Sequence, residues 1–365
     1  MKRDIPVYRP SLAGNERAYV LECLDANWIS SRGAFIGRFE SAFAEYTGAA
    51  AATSVANGTV AIHLALLAAG VGPGDEVIVP TFTYIASVNA IAYVGAEPVF
   101  ADSEPRCWNV DPVAIEATVT PRTKAIMAVH LYGATCDMDA IGAVAARHGL
   151  VVIEDAAEAF GSRHRGRAAG TLGDVASFSF FGNKTITTGE GGMVAANDPA
   201  LIERAAHLKS QAVSKTREYW HDEIGYNYRM TNLCAAIGLA QLERADETIA
   251  AKRRLAARYR EALEGLPLEF QSEPEGGFHT YWMVSALAPD RAARDRLRAA
   301  LGEAGVETRP LFPPAHTMPA FRREAAFPVA EDLSARGLNL PSFPDLGEDE
   351  LRFVCNVIKA AFAKG

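Results

Sequence analysis

The sequence predicts an α/β fold: a mostly parallel central sheet flanked by helices, followed by a smaller C-terminal α+β domain. Two observations carry this. Short, continuously apolar runs alternate with helical stretches through the first two-thirds of the chain. Strands buried on both faces read this way when helices cover them. After Asn232 the pattern changes to long amphipathic helix. The strand spacing is too irregular for eight even βα units, which argues against a closed barrel.

In chain order, the β-rich runs are residues 76–80 (EVIVP), 97–102 (EPVFAD), 124–130 (KAIMAVH), 150–155 (LVVIED), 175–181 (VASFSFF) and 192–197 (GMVAAN). Helical stretches at 60–69, 85–93, 112–117 and 141–148 separate the earlier runs. Residues 235–266 read as one long helix, with Leu242, Ala245, Ile249, Ala256, Tyr259 and Leu263 on a single stripe. A helix of this length bridges domains, so a boundary is placed near residue 245. It divides a large domain (1–245) from a small one (246–365). Within the latter, 280–286 reads as a strand, 291–304 as a helix, 305–310 as an extended segment and 348–362 as a closing helix.

The chain has 365 residues, 49 % apolar and 22 % charged. That composition is ordinary for globular proteins and excludes disordered, collagenous and coiled-coil readings. The net charge of −8 and the lack of a basic run argue against nucleic-acid or membrane partners. Five scattered cysteines, with no CxxC, fit reduced thiols rather than a disulfide framework or structural zinc. The opening Met1-Lys-Arg-Asp4 leads to Pro6 and Pro10 without an apolar core, so no signal peptide is expected. The longest apolar stretch, around 61–71, is too short to span a bilayer. A cytoplasmic location is expected.

Three local features carry chemistry. The strand 150–155 ends in Glu154-Asp155, where ligands gather in open α/β sheets. A carboxylate there can hold a ligand cation or a protonated ring nitrogen, or simply cap the following turn. Ser177-Phe-Ser-Phe-Phe-Gly-Asn-Lys184 puts a lysine just past an apolar strand. Desolvation would lower its amine pKa and make it a nucleophile able to form a Schiff base; a lysine snorkelling to the surface is the alternative. Asn57-Gly58-Thr59 opens a helical run, and free N–H groups at a helix start bind phosphate. Ser179 could add a hydroxyl. The lysine segment is not a P-loop, since Asn183 rather than Gly precedes Lys184. A phosphate cradle, a strand-end carboxylate and a lysine are the three things a pyridoxal 5'-phosphate (PLP) enzyme requires. His130, His148 and His164 show no metal-ligand spacing, and no metal is expected.

From end to end the chain resembles the DegT/DnrJ/EryC1/StrS sugar aminotransferases. The matching segments include Trp28-Ile-Ser-Ser31, Asn57-Gly-Thr59, Thr81-Phe-Thr-Tyr84, Glu154-Asp-Ala-Ala-Glu-Ala159, Ser177 to Lys184, Thr188-Gly-Glu-Gly-Gly192 and Asn227-Tyr-Arg-Met-Thr-Asn232. The resemblance implies the type I aminotransferase fold and a homodimer with shared active sites. It makes Lys184 the cofactor-bearing and proton-shuttling residue, pairs Asp155 with the pyridine nitrogen and stacks Tyr84 on the ring. Gly58, Thr59 and Ser179 would hold the phosphate, joined by Asn227 of the second subunit. Glu158 falls near the ring hydroxyl, where most relatives carry Gln or His; beside a phenolate it should be protonated or share a proton. Trp28, Ser30 and His316 are expected to face substrate, although His316 could equally be structural. Arg229 could meet a carboxylate or brace the dimer. Arg163-His-Arg-Gly-Arg167 reads as a solvated turn rather than a nucleotide-phosphate site.

The implied reaction moves the amino group of L-glutamate to C4 of a nucleotide-linked 4-keto-6-deoxy sugar. Within the family, the resemblance carried by His130-Leu-Tyr-Gly133, Cys136-Asp-Met-Asp139, Phe180-Phe-Gly-Asn-Lys184 and the stretch from Arg309 through His316 to Pro319 implies GDP-4-keto-6-deoxy-mannose as acceptor. A UDP- or dTDP-linked 4-keto or 3-keto sugar is the alternative within the class. A PLP sugar dehydratase would carry His in place of Lys184. A non-catalytic PLP-binding regulator would not need both Asp155 and Lys184.

Overall fold

Apolar runs become strands where their β-branched side chains can be buried from both sides. In the computed structural model, which describes residues 3–363, seven such runs form one sheet. They are β1 (Ala51–Val55), β2 (Glu76–Pro80), β3 (Glu97–Ala101), β4 (Thr123–Val129), β5 (Val151–Asp155), β6 (Val175–Ser179) and β7 (Gly192–Ala196). The order is β1-β7-β6-β5-β4-β2-β3. The five strands from β6 to β3 run parallel, and β7 is antiparallel to both its neighbours.

The first 50 residues and β1 carry elements that the sequence reading left blank. These are α1 (Glu16–Asp25), α2 (Ala34–Thr47) and β1 itself, whose AATSV is too polar to stand out. For α2 a signal was present: Phe35, Phe39 and Phe43 recur at helical spacing and are fully buried. Next come α3 (Gly58–Ala68), α4 (Ile85–Tyr93), α5 (Pro112–Thr118), α6 (Met138–His148), α7 (Pro199–Lys209) and α8 (Asn232–Glu243). Val77, Val79, Met127 and Ile153 share one core with Ile62, Leu66, Val88 and Leu208 of α3, α4 and α7. The opposite face packs Phe178 and Met193 against α2 and α8, and Ile78, Ile126 and Val152 against α5 and α6.

The single helix expected over 235–266 is two helices. α8 ends at Glu243 and α9 (Ala245–Ala262) begins after Arg244, whose φ of −114° breaks the helix. The apolar stripe survives the break, with all six of its residues buried. The first turns of α9 bury Ala245 and Ile249 in the large unit, and its later turns bury Leu255, Ala256 and Tyr259 in the C-terminal one.

That C-terminal unit holds an antiparallel sheet of β8 (Glu269–Phe270), β9 (Val284–Leu287), β10 (Arg309–Pro310) and β11 (Gly337–Leu340), in the order β8-β9-β11-β10. Helices α10 (Arg291–Glu303), α11 (Pro328–Arg336) and α12 (Glu348–Ala363) accompany it. β9 starts later than the expected 280–286 because Tyr281 takes φ +51°, which no extended strand can continue through. Residues 3–8 touch both units: Ile5 joins the C-terminal core, Val7 the core of the large sheet, and Tyr8 packs against both. Ile5 bridges to Val306, and Ser342 N–H donates to the Val7 carbonyl at 2.9 Å.

Glu154 and Asp155 are adjacent on β5, so strand alternation sends them to opposite faces. The Glu154 carboxylate, fully buried, accepts the N–H groups of Gly170, Leu172 and Gly173, each at 2.7 Å. His130 Nε2 completes the shell at 2.9 Å. Cys136 N–H donates to His130 Nδ1 at 3.1 Å, which leaves the ring proton on Nε2, pointing at Glu154. Replacing Glu154 with Ala would strand three backbone donors and an imidazole at once. Glu154→Ala is expected to lower the unfolding free energy by about 3–5 kcal/mol, read by urea denaturation.

Candidate active site

Parallel strands deliver their C-terminal residues to one end of the sheet, and helix starts collect there. A cavity of about 580 Å³ opens at that end, between the large unit and the C-terminal sheet. One wall is the start of α3. Asn57 caps it, its side chain accepting from Val60 N at 3.0 Å, and its carbonyl receives Ala61 N–H. Gly58 and Thr59 precede those two donors and line the cavity. A Cβ on Gly58 would stand 2.6 Å from Ser179 Cβ, so only glycine lets the helix start approach the end of β6 so closely.

The floor is Asp155. Its carboxylate is oriented from two sides, by Ser87 Oγ at 2.6 Å and Ala157 N–H at 3.1 Å. Ser87 comes from α4, which Tyr84 introduces; the Tyr84 ring is half exposed at the cavity wall, 5.7 Å from that of Phe312.

Lys184 ends the loop that follows β6. Its N–H donates to Phe181 O at 2.9 Å, and its carbonyl accepts Tyr8 Oη at 2.6 Å. Its Nζ lies 3.9 Å from Glu158 Oε1 and 3.8 Å from the centroid of the Trp282 ring. Burial holds the Lys184 amine below the usual lysine range, against the opposing pull of Glu158 and Asp155. Burial likewise pushes the Glu158 carboxyl up to about 7. The charge of Lys184 and the Tyr132 N–H, 2.8 Å from Glu158 Oε2, pull it back, while Asp155 raises it further.

Gly58, Thr59, Tyr84, Asp155, Glu158, Ser179 and Lys184 thus line one cavity. The other sequence-derived residues do not join them within this chain. Trp28 and Ser30 are exposed elsewhere, with the Ser30 carbonyl accepting Asn232 N–H at 2.6 Å. Asn227 is exposed, and its backbone bridges to Ser210; Thr231, not Asn227, caps α8. Arg229 pairs its backbone with Val55. His316 is 4 % exposed and bonds Thr81 Oγ1 through Nδ1 at 2.7 Å, with its ring against Phe327. The arginine cluster at 163–167 forms a hairpin whose turn residues Arg165 and Gly166 take φ +48° and +82°, with Arg165 paired to Asp139.

Other cavity residues were given no site role from the sequence, although Asn183 and Arg309 lie in stretches quoted there: Asn183, Ser87, Trp282, Arg309, Phe312 and Asn339. For the last four no local signal exists, since they reach the cavity only through the packing of the C-terminal unit. Among the described residues there is no cluster of three or more metal-binding side chains. No described helix is long and apolar enough to cross a membrane.

The family model for DegT/DnrJ/EryC1/StrS aminotransferases matches residues 10–359. The chain belongs to that family. A GDP-perosamine synthase of Escherichia coli O157:H7 is 54 % identical over 360 residues, covering 98 % of this chain and 99 % of that one. A GDP-perosamine synthase of Vibrio cholerae is 51 % identical over 363 residues, with the same coverage. Among solved structures, the aminotransferase TlmJ from Streptoalloteichus hindustanus superimposes with a TM-score of 0.94 at 34 % identity, covering 99 % of both chains. The seven-stranded sheet with its smaller C-terminal unit is therefore the architecture of a DegT/DnrJ/EryC1/StrS aminotransferase.

A carboxyl whose pKa is raised by folding binds its proton more tightly in the folded state, so its ionisation destabilises the fold as pH rises through that range. Glutamine at 158 carries no such charge. The stability gap between Glu158→Gln and the native chain should therefore widen in favour of the variant, by about 1–3 kcal/mol from about pH 5 to about pH 8. Denaturant titrations of the cofactor-free proteins at the two pH values check this.

Proposed function

We propose that the protein transfers the amino group of L-glutamate to C4 of GDP-4-keto-6-deoxy-mannose, giving GDP-perosamine, with PLP as cofactor. The observation that carries this reading is the full-length identity above 50 % to GDP-perosamine synthases of two organisms, in a chain whose cavity holds a largely buried lysine, an oriented carboxylate and a capped helix start.

The residues present fit the cofactor. The helix start offers the N–H groups of Gly58 and Thr59 and the hydroxyl of Ser179 to a phosphate. Asp155, held by Ser87 and Ala157, presents a carboxylate to a ring nitrogen. Tyr84 offers a ring face. When bound, PLP supplies an aldehyde to carry the amino group and a conjugated ring that takes up electrons when a neighbouring C–H bond breaks. Lys184 moves the proton. Burial lowers its pKa and so favours the neutral amine, the form a general base needs. Glu158, 3.9 Å away, has its carboxyl raised to about 7 by burial, so it can hold or give up a proton beside the group that faces it.

The reading includes a second copy of the chain that supplies Asn227 to the phosphate site. Tyr219, Trp220 and Ile224 stand 97 %, 46 % and 85 % exposed on the segment before Asn227, and Trp28 and Ile29 are half exposed. Exposed apolar side chains on these two segments are consistent with a protein partner.

Incubating the purified enzyme with L-glutamate and a panel of GDP-, UDP- and dTDP-linked keto sugars, read by mass spectrometry, tests the acceptor. The GDP-linked 4-keto sugar should gain an amino group fastest. Lys184→Ala should abolish that turnover while still binding the cofactor noncovalently; near-native kcat would remove Lys184 from its role.

The shared site has its own test. Lys184→Ala is mixed with Asn227→Asp, which sets a carboxylate beside phosphate and should be inactive by itself. In a two-fold dimer with reciprocal exchange, one site of the mixed species carries both defects and the other neither. Recovery of up to about half the native activity per mixed dimer is expected. No recovery, with mixed dimers shown to form, would return Asn227 to its own subunit.

A further inference from the structure

Trp282 enters the cavity from the segment before β9 and is 5 % exposed. It makes two separate contacts with the lysine loop. Its indole Nε1–H donates to the Asn183 carbonyl at 2.6 Å. Its ring face holds Lys184 Nζ at 3.8 Å from the centroid. The same indole stacks nearly parallel to Tyr132, at 6.2 Å and 6°, and Tyr132 donates its N–H to Glu158.

The reaction proposed above requires the Lys184 amine to be free whenever it moves a proton. A free ammonium in a desolvated cavity needs a place to rest. A strong carboxylate partner would trap its proton, whereas an aromatic face attracts the cation through its quadrupole without accepting the proton. We propose that Trp282 is that resting place: a positioning residue whose N–H fixes the peptide before Lys184 and whose ring holds the freed ammonium between proton transfers. This rests on the reading of the site as that of a PLP aminotransferase. The other titratable or charged groups at the cavity are Asp155 at the end of β5 and Glu158 just beyond it, both acting on Lys184, together with Tyr84 before α4, Glu190 before β7 and Arg309 on β10. None of them replaces the indole face.

The test is the rate at which PLP loads onto the full-length protein stripped of cofactor, followed by absorbance across pH. Loading joins the neutral lysine nitrogen to the aldehyde carbon and releases water, so its pH dependence reports the amine pKa. A cation–π contact favours the charged amine; removing it lowers that pKa. Trp282→Leu, which keeps the site apolar, should move the midpoint down by about 0.5–1.5 pH units. Trp282→Phe, which keeps a weaker face and loses the N–H, should move it down by less than half as much. If Trp282→Leu fails to fold, the downward shift in Trp282→Phe carries the decision. An unchanged or raised midpoint in the folded variants overturns the proposal. Failure of the native chain to load PLP at all would strike the cofactor reading itself, a separate outcome.

Discussion

A lysine amine and a glutamate carboxyl are withdrawn from water together, 3.9 Å apart, at the end of a buried sheet. Each would prefer to be neutral there, and each makes the other's charge more tolerable. Lys184 is held below its usual range and Glu158 above its own, burial being the main cause of both. The fold is arranged around keeping that pair dry and oriented. The parallel strands bring Asp155 and Ser179 to the same end, the capped start of α3 closes one side, and the C-terminal sheet closes the other.

Position within the cavity is set by both units jointly. The two peptide carbonyls at the tip of the lysine loop, those of Asn183 and Lys184, are taken by Trp282 Nε1 and Tyr8 Oη, at 2.6 Å each. Trp282 comes from the C-terminal part of the chain but packs in the core of the large sheet, and Tyr8, near the start of the chain, packs against the cores of both units. The stack of Phe312, Tyr132 and Trp282 extends this clamp. Tyr132 stays in it by taking φ +56°, an uncommon conformation for a non-glycine residue that the surrounding contacts enforce.

How much of this was legible depended on whether the determinant was local. The six apolar runs marked their strands to within one or two residues because continuous burial leaves a continuous signature. Asp155 and Lys184 stood out because a polar residue at the end of an apolar strand breaks that signature. Asn57-Gly58-Thr59 was read as opening a helix, and the cap puts the first helical residue at Gly58, two earlier than the apolar run alone. The break at Arg244 was invisible, because the stripe on either side keeps one face and no Gly or Pro marks the kink. Trp282 and Arg309 sit in segments that look like ordinary strand, and only tertiary packing turns them toward the cavity. The sequence leaves His316 between a substrate-facing and a structural role; its Nδ1 bonds Thr81 Oγ1 and its ring packs on Phe327.

The strap of residues 3–8 imposes an order on synthesis. Ile5 has its bridge to Val306, Val7 its bond to Glu307 and its carbonyl's bond from Ser342. During translation those partners emerge from the ribosome some three hundred residues after the strap does, about fifteen seconds or more at the fastest elongation rates. Throughout that interval Tyr8 has no seat from which to hold the Lys184 carbonyl. The large sheet can assemble as its strands appear, yet the lysine loop gains its final clamp only once the tail has been made. The seat of Tyr8 beside the lysine loop is thus completed only after residues 306–342 have been made.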